Sequence, residues 1–316
     1  MNYILVTGGA GFIATHLIEE LIEDENNYIV VIDNLSMCDD KNISKFYTRQ
    51  NFIFYKADLT IYFELQQIFK KYNFTRVYHF AANSDISKSY TNPSIDYNNT
   101  FNTTWNVLEL IRINGIKEFI FASTSAVFGE VDDNIVDENF GPILPISHYG
   151  AGKLASEAFI SSFAYNYEIQ SLIVRFPNVI GEYSTHGVIY DFINKLKINS
   201  DELIVLGDGK QEKSYLYVKD LINAINYAWD AKTEKVDIFN IGGIDTISVS
   251  EIAQIVVENI GQNSTISYTG GDRGWKGDVP KFSYNINKIL STKWKPILNS
   301  REAVELTVKK LIKEIW

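Results

Sequence analysis

The first half of the chain alternates short apolar runs, rich in β-branched residues, with longer segments whose apolar positions recur at helical spacing. Such runs predict buried strands, and the helical period predicts amphipathic helices. The expected strands are Tyr3–Thr7, Ile29–Ile32, Phe52–Lys56, Arg76–Phe80, Glu118–Ser123 and Ser171–Arg175. The expected helices are Ile13–Glu23, Ile61–Tyr72, Asn98–Asn114 and His148–Tyr167. This alternation predicts an α/β fold with a doubly wound parallel sheet.

The pattern changes after residue 176, where glycines and prolines separate shorter elements. We therefore expect two domains. Residues 1–176 would carry the parallel sheet, and residues 177–316 would form a smaller α/β lobe for the substrate. A helix near residues 220–229 is expected to pack back onto the first domain.

A glycine-rich segment, Thr7–Ala14, follows the first expected strand and opens the first expected helix. Gly8 would allow a tight turn. Gly11 would let the backbone approach a pyrophosphate at the helix N-terminus, where amide N–H groups favour an anion. This context is the dinucleotide fingerprint of a Rossmann-like sheet, with the small residue Ala14 at its third position. The alternative is an ordinary turn that needs its glycines only for geometry.

Asp33 supports the dinucleotide interpretation, because it ends the second expected strand about 20 residues after the glycines. A carboxylate at this position accepts hydrogen bonds from the adenosine ribose hydroxyls and repels a 2′-phosphate. The sequence therefore predicts NAD rather than NADP as the cofactor.

Composition narrows the function classes. The net charge of −10 argues against a nucleic-acid partner or an anionic membrane surface. A single cysteine, Cys38, excludes an intramolecular disulfide, and the scattered histidines lack metal-ligand spacing, so we expect no metal. The sequence shows no signal peptide and no apolar run of about 20 residues, so a cytoplasmic location is the expectation.

Tyr149 and Lys153 lie one turn apart on one expected helix. A phenol has a pKa near ~10, and a neighbouring ammonium or nicotinamide cation would lower it. Such a phenol can take the hydroxyl proton of a carbinol while hydride leaves for the nicotinamide. Thr124 ends a strand-like run and could bond the same oxygen, but Ser123 and Ser125 compete with it. The alternative for Tyr149 and Lys153 is a surface pair.

These motifs together resemble the extended short-chain dehydrogenases/reductases. Within them, the chain is similar to nucleotide-sugar enzymes of the UDP-glucose (UDP-galactose) 4-epimerase type, in the NAD-dependent epimerase/dehydratase family. The matching stretches are Thr7–Ala14, Asp33-Asn34, Asp58-Leu59, His79–Ala82, Asn99, Ala122–Gly129, Tyr149–Lys153, Arg175–Gly181, Gly207–Gln211, Tyr215–Asp220, Gly277-Asp278 and Trp294–Pro296.

The resemblance implies roles for individual residues. Thr124 would take the place of the catalytic Ser/Thr, Tyr149 would be the acid/base, and Lys153 would hold the nicotinamide ribose. The implied NAD contacts are Gly8, Gly11, Phe12, Ile13, Asp33, Asn34, Asp58, Leu59, Phe80, Ala81, Ala82, Asn99, Tyr149 and Lys153. The implied substrate contacts are Ser84, Thr124, Asn178, Lys213, Arg273 and Phe282. Lys213 replaces an arginine that is common in the family, and a lysine gives up bidentate phosphate binding.

The residues after Thr124 bear on the reaction. By the resemblance, 4,6-dehydratases carry an Asp-Glu pair there and decarboxylases carry a glutamate at the second position, whereas this chain has Ser125 and Ala126. The expected reaction is therefore 4-epimerisation through a transient 4-keto sugar. The alternatives are a net C4 dehydrogenase or reductase and, from another class, a non-catalytic dinucleotide sensor. Both Tyr149 and Lys153 argue against a sensor.

The resemblance also bears on substrate and assembly. It favours UDP as the nucleotide, with GDP, CDP and dTDP open, and Phe282 would favour a plain hexose. It further implies a homodimer built through the helices at 98–114 and 148–167.

Overall fold

The structure of the protein, a computed structural model, describes residues 1–131, 135–261, 263–271 and 283–316. Its strands are β1 Asn2–Thr7, β2 Asn27–Asp33, β3 Phe52–Lys56, β4 Phe74–His79, β5 Glu118–Ala122, β6 Ile135–Val136, β7 Gln170–Arg175, β8 Asn178–Ile180, β9 Glu202–Val205, β10 Glu212–Lys213, β11 Tyr215–Tyr217, β12 Val236–Asn240, β13 Ile247–Ser248, β14 Thr265–Tyr268 and β15 Ser283–Tyr284.

The helices alternate with these strands in the first half of the chain. They are α1 Phe12–Leu21, α2 Lys41–Ser44, α3 Tyr62–Phe69, α4 Ile86–Thr91, α5 Ser94–Asp96, α6 Thr103–Asn114, α7 His148–Tyr167, α8 Val188–Ile198, α9 Val218–Ala231, α10 Val249–Ile260, α11 Asn287–Ser291 and α12 Ser300–Ile315. A π-helical segment, Tyr97–Asn102, leads into α6, and a 3₁₀ turn, Ser125–Phe128, follows β5.

Seven strands form the main sheet, in the order β12-β7-β5-β4-β1-β2-β3. The pairs from β7 to β3 are parallel, and Leu5 at the centre lies opposite Val30 on one side and Val77 on the other. The strand order reverses between β1 and β4. This confirms the predicted Rossmann-like α/β fold, whose ligands bind where the strand order reverses, at the carboxyl ends of the strands.

The strands of this sheet are apolar on both faces because helices cover both. Leu5, Val30, Val77, Phe119 and Ile173 come from five neighbouring strands and share one buried cluster. Burial of apolar surface contributes about 25 cal/mol per Å², so this cluster stabilises the sheet that positions the site. Within the described ranges, no helix is long and apolar enough to cross a membrane.

Contacts between Cα atoms divide the chain into two compact units. The first comprises Met1–Gly129, Phe140–Arg175 and Asn226–Phe239, and the second comprises Glu130–Asn139, Phe176–Ile225 and Asn240–Trp316. The chain thus crosses between the units more often than the single expected boundary at residue 176 describes. Helix α9 contributes residues to both units.

The second unit contains two-stranded sheets and the helices α8, α10 and α12. Its sheets pair β10 with β13, β11 with β8, β14 with β9 and β15 with β6. Capping boxes begin two of the helices: Ser248 with Glu251 at α10, and Asn299 with Glu302 at α12. Each box satisfies backbone N–H groups that a helix N-terminus leaves without partners.

Candidate active site

The glycine turn after β1 lies against the loop after β4. Gly8 has φ +67°, and a Cβ placed on it would lie 2.6 Å from the Ala81 backbone nitrogen. Gly11 is the N-cap of α1, and no side chain bonds its first amides. A glycine cradle in front of uncapped helical N–H groups fits the pyrophosphate of a dinucleotide.

Asp33 lies at the carboxyl end of β2, beside the glycine turn. Its Oδ2 accepts a hydrogen bond of 3.1 Å from the Ala10 backbone N–H, and its Oδ1 accepts one of 2.8 Å from Leu35 N–H. Burial raises the pKa of the Asp33 carboxyl, and these two bonds oppose that rise. Further donors, such as ribose hydroxyls, would stabilise the carboxylate, so its position and chemistry fit an adenosine ribose.

The loops after β2 and β3 are joined by Asp58. Its Oδ2 accepts from Asn34 Nδ2 at 3.2 Å, and its Oδ1 accepts from the Thr60 N–H and hydroxyl. Burial opposes ionisation of Asp58, but these hydrogen bonds prevail and lower its pKa. The next residue, Leu59, is buried, and its carbonyl oxygen accepts from Asn106 Nδ2 at 2.9 Å. The edge expected to face the adenine is therefore fixed by hydrogen bonds.

Five of the expected contacts lie between β4 and α6, four of them in the loop after β4 and one in the π-helical segment. Phe80, Ala81 and Ala82 are half-buried, and Ser84 is exposed. Asn99 is half-buried in the π-helical segment, but its neighbour Thr100 makes the contact with this loop by accepting from Asn83 N–H at 3.2 Å. π-helical turns often occur at functional sites.

Thr124 is the first residue beyond β5. It caps the 3₁₀ turn, its Oγ1 accepts from Ala126 N–H at 3.1 Å, and a side-chain hydrogen bond connects it with Tyr149. Ser123, in contrast, is buried and donates its hydroxyl proton to Glu157. A Cβ on Gly150 would lie 2.4 Å from the Ala126 carbonyl oxygen, so a glycine there lets α7 approach this turn. The structure thus joins Thr124, rather than Ser123, to the tyrosine.

Tyr149 and Lys153 lie in the first turns of α7, whose bounds match the predicted helix. The Lys153 ammonium is buried and donates to the Ala122 carbonyl oxygen at 2.5 Å. Burial lowers the pKa of Lys153 to about 7, against the opposing charges of Glu157 and Asp96. Burial also raises the pKa of Tyr149 to about 12; the hydrogen bond with Thr124 opposes this, and the Asp96 charge adds to it.

The expected lowering of the Tyr149 pKa by its neighbour is therefore absent in the protein itself. Desolvation of the phenolate outweighs the favourable hydrogen bond, and Lys153 is directed at a backbone carbonyl. The protein holds the phenol in its protonated form.

Beneath this site lies a buried ion pair that the sequence analysis does not predict. Arg175 Nε donates to Glu157 Oε1 at 3.0 Å, and Arg175 Nη2 donates to Oε2 at 2.6 Å. Both side chains are buried, and Ser123 adds a third donor to the same carboxylate. Glu157 lies one helical turn after Lys153, a spacing that could have indicated a polar stripe on α7.

His79 is a second buried polar residue close to the site. Its Nδ1 lies 2.6 Å from the Thr7 hydroxyl and its Nε2 lies 3.0 Å from the Thr104 hydroxyl. Burial lowers the pKa of His79 to about 3, and the charge of Lys153 acts in the same direction. The neutral imidazole therefore links β1, β4 and α6 by hydrogen bonds.

The expected substrate contacts of the second unit are partly described. Asn178 lies in β8 and donates from Nδ2 to the Ser214 carbonyl oxygen at 3.2 Å. Lys213, the residue before Ser214, lies half-buried in β10. Arg273 and Phe282 lie outside the described residues.

A comparison with family models decides the family. Residues 4–242 match the model described as the NAD dependent epimerase/dehydratase family. The chain belongs to this family. It is an NAD-dependent sugar epimerase/dehydratase-family enzyme, and its cofactor is NAD.

The matches to individual proteins of known or proposed activity cover nearly the whole chain. A protein of Methanocaldococcus jannaschii with the provisional name UDP-glucose 4-epimerase is 35% identical, covering 96% of this chain and 97% of its own. The dTDP-D-glucose 4,6-dehydratase of Mus musculus is 31% identical, and the match covers 97% of this chain and 87% of the dehydratase. A solved UDP-galactose 4-epimerase is 36% identical with a TM-score of 0.87, covering 99% of this chain and 100% of its own. Both epimerases and dehydratases are thus similar to this member of the family.

Proposed function

We propose that this enzyme is a nucleotide-sugar 4-epimerase of the UDP-glucose/UDP-galactose type. The observation that carries the proposal is the close approach of α7, at Gly150, to the turn after Thr124, which sets the Tyr149 phenol beside Thr124 on a helix that also buries Lys153 one turn later. A hydroxyl and a phenol that lie side by side can both contact one substrate oxygen. That arrangement suits proton transfer at a single sugar carbon.

NAD would lie along the carboxyl ends of β1 to β5 in the first unit. When bound, it supplies the acceptor and donor of hydride at the sugar C4 carbon. The residues that we propose to hold it are Gly8, Gly11, Phe12, Ile13, Asp33, Asn34, Asp58, Leu59, Phe80, Ala81, Ala82, Asn99, Tyr149 and Lys153. The clash that a Cβ would create at Gly8, and the position of Asp33, support this assignment.

Tyr149 would take the proton of the sugar 4-hydroxyl and later return it. The phenol has to lose its proton for the first of these steps, and burial opposes that loss by raising its pKa to about 12. The interaction with Thr124 favours the phenolate, and a nicotinamide cation would favour it further. The same tyrosine would act in the oxidation and in the reduction of C4. A 4-keto sugar that rotates between the two steps would present its other face, so that its reduction would invert C4.

The turn after Thr124 favours epimerisation over dehydration. By the resemblance, Ser125 and Ala126 occupy the positions at which 4,6-dehydratases carry an Asp-Glu pair, and the Ala126 amide is already bonded to Thr124 Oγ1. A methyl group at position 126 can neither give nor take a proton. These positions thus lack the carboxyl group needed to eliminate water across the sugar C5–C6 bond.

For the substrate we retain the residues named from the resemblance. Ser84 and Thr124 would contact the sugar, and Asn178 and Lys213 would contact the diphosphate. Arg273 and Phe282, outside the described residues, stay predictions for the diphosphate and for sugar size. UDP as the nucleotide and a cytoplasmic location are also predictions.

We also propose that two copies of the enzyme form a dimer through an aromatic face made of Tyr97, Phe101, Trp105 and Phe159. The ring centroids of Phe101 and Phe159 are 5.4 Å apart, and those of Trp105 and Phe159 are 5.1 Å apart, so the face joins the π-helical segment and α6 to α7. Tyr97 is 60% exposed, and Phe159 is 38% exposed. Contiguous exposed aromatic area is typical of protein interfaces.

Sedimentation velocity tests the dimer. Phe159→Glu should yield monomers, whereas Phe63→Glu, on α3 and 68% exposed, should leave the dimer intact. A dimer that persists in Phe159→Glu at the same concentration would refute this interface.

Replacement of the acid/base tests the proposed function. Tyr149→Phe removes one oxygen and should lower the epimerisation rate at least about 1,000-fold, because proton transfer then lacks its acceptor. Bound NAD, measured after denaturing the protein, should be unchanged. Tyr165→Phe is the matched control, since Tyr165 lies on the same helix with 59% of its surface exposed. Retained turnover in Tyr149→Phe would refute the assignment.

A further inference from the structure

Asp96 is a buried carboxylate that the proposed mechanism does not use. It ends the short helix α5 and is only 1% exposed. Its Oδ1 accepts a hydrogen bond of 2.9 Å from Asn83 Nδ2, while its Oδ2 is buried with no hydrogen-bond partner in the described part of the chain. An uncompensated carboxylate oxygen in the interior is costly, so its presence requires a reason.

Asn83 fixes the orientation of this carboxylate. Its Nδ2 also lies 2.9 Å from the Ser89 hydroxyl and 3.1 Å from the Asp85 carbonyl oxygen. Its backbone N–H donates to Thr100 Oγ1, at 3.2 Å, in the π-helical segment. The loop after β4 and the π-helical segment therefore hold Asp96 between them, and its free oxygen has little freedom to turn away.

The segment that carries Asp96 packs on α7 at the catalytic turn. A Cβ added to Gly152 would lie 3.4 Å from both the Asp96 carbonyl oxygen and Thr100, so a small residue at 152 suits this close approach. Gly152 is the residue immediately before Lys153. The contact, made by the Asp96 backbone, places this residue beside the part of α7 that carries Tyr149 and Lys153, and its negative charge acts on both.

The titratable groups on which the charge of Asp96 acts lie on α7. These are Tyr149 and Lys153. Lys153 is also close to Glu157, which is bonded to Arg175, and to the neutral His79 of β4. The negative charge of Asp96 raises the pKa of Lys153, against the larger effect of burial, and raises the pKa of Tyr149.

We propose that Asp96 is a positioning residue, a fixed internal counter-charge that keeps the buried Lys153 ammonium protonated. The inference rests on the proposed function, because it assigns Asp96 to the acid/base pair of that site. An ammonium removed from water tends to lose its proton unless a negative charge remains nearby. A cationic nicotinamide beside Lys153 would strengthen that tendency, and Asp96 opposes it.

Direct titration of Lys153 tests the proposal. In full-length protein labelled with ¹³C-lysine, the Cε signal of Lys153, assigned by its loss in Lys153→Met, should titrate near pH 7 in the wild type. Asp96→Asn should move this midpoint to lower pH by roughly 1 unit, as expected for removal of a nearby opposite charge. Asp96→Glu, which restores the charge, should move it back toward the wild-type value.

Two further variants complete the design. Asp237→Asn is the matched control, because Asp237 is a buried carboxylate of the same unit that accepts from Thr233 N–H, and it should not move the midpoint. Asp96→Ser removes the charge with a smaller side chain and should repeat the shift if Asp96→Asn does not fold. An unchanged Lys153 midpoint in a folded, neutral variant would overturn the proposal. The titration needs no substrate, so this result stands whether or not the enzyme proves to be a 4-epimerase.

Discussion

Gly8 and Ala81 are in such close approach that a Cβ on Gly8 would lie 2.6 Å from the Ala81 backbone nitrogen. This contact joins the turn after β1 to the loop after β4, where the strand order of the sheet reverses. A methyl group at residue 8 would force the two segments apart.

We therefore expect Gly8→Ala to abolish retention of NAD and to lower the free energy of unfolding by several kcal/mol. Gly115→Ala is the matched control, since Gly115 has the same φ of +67° but no atom within 4 Å of an added Cβ. It should cost only about 1 kcal/mol of backbone strain. Urea denaturation and the NAD content of the purified proteins measure both effects. Equal losses in the two variants would contradict the steric argument.

The buried Glu157–Arg175 pair predicts a large effect on stability. Glu157→Gln should lower the free energy of unfolding by about 3–5 kcal/mol, because it leaves the Arg175 guanidinium buried without a countercharge. The control is Glu305→Gln, which breaks the exposed pair with Arg301 on α12 and should cost less than about 0.5 kcal/mol. Chemical denaturation at neutral pH compares them. Similar stabilities would mean that the buried pair contributes no more than a surface pair.

His79 predicts a dependence of stability on pH. Its pKa is about 3 in the folded protein against an ordinary 6.5, so the unfolded chain binds more protons between these values. Stability should therefore fall as pH decreases from 6.5 toward 3, by up to about 1.4 kcal/mol per pH unit from this group. His79→Gln should reduce that slope, whereas His148→Gln, at an exposed position, should preserve it. Parallel slopes in all three proteins would contradict the assignment.

Asp33 predicts the cofactor preference. Asp33→Asn keeps the shape of the side chain but removes its charge, and should weaken NAD binding roughly 10- to 100-fold, since a hydrogen bond to a charged group contributes about 1.5–3 kcal/mol. Discrimination against NADP should narrow as well, because the 2′-phosphate no longer meets a carboxylate. Asp39→Asn, in the exposed segment after β2, is the control. Isothermal titration calorimetry measures the affinities for NAD and for NADP. An unchanged ratio of these two affinities in Asp33→Asn would contradict contact between Asp33 and the ribose.

Much of the first unit could be predicted from local sequence. The bounds of α7 agree with the predicted His148–Tyr167 because Ser147 caps its first turn and Glu168 ends it in a left-handed conformation. Six strands of the main sheet were expected within a few residues. The seventh, β12, was not, since Val236–Asn240 is a short run in the half of the chain where the pattern is weak.

The remaining features depend on contacts between distant parts of the chain. Asp96 lies in a polar stretch with no periodicity, and its burial follows from packing against α7 and from the bonds of Asn83. The expected helix from Asn98 to Asn114 begins with a π-helical segment, which no spacing of apolar residues indicates. The residues alone did not separate Thr124 from Ser123. The resemblance favoured Thr124, and the fold adds that Ser123 is directed at Glu157.

The measurement that tests the central claim most directly is incubation of the purified protein with UDP-galactose, UDP-glucose and their N-acetyl forms, without added NAD, with products identified by NMR. We predict a C4-inverted sugar without net formation of NADH, because the same tyrosine and the retained NAD would act in both directions. Absence of inversion, with NADH accumulating once NAD and a panel of nucleotide sugars are supplied, would contradict the 4-epimerase and indicate a C4 dehydrogenase on the same fold.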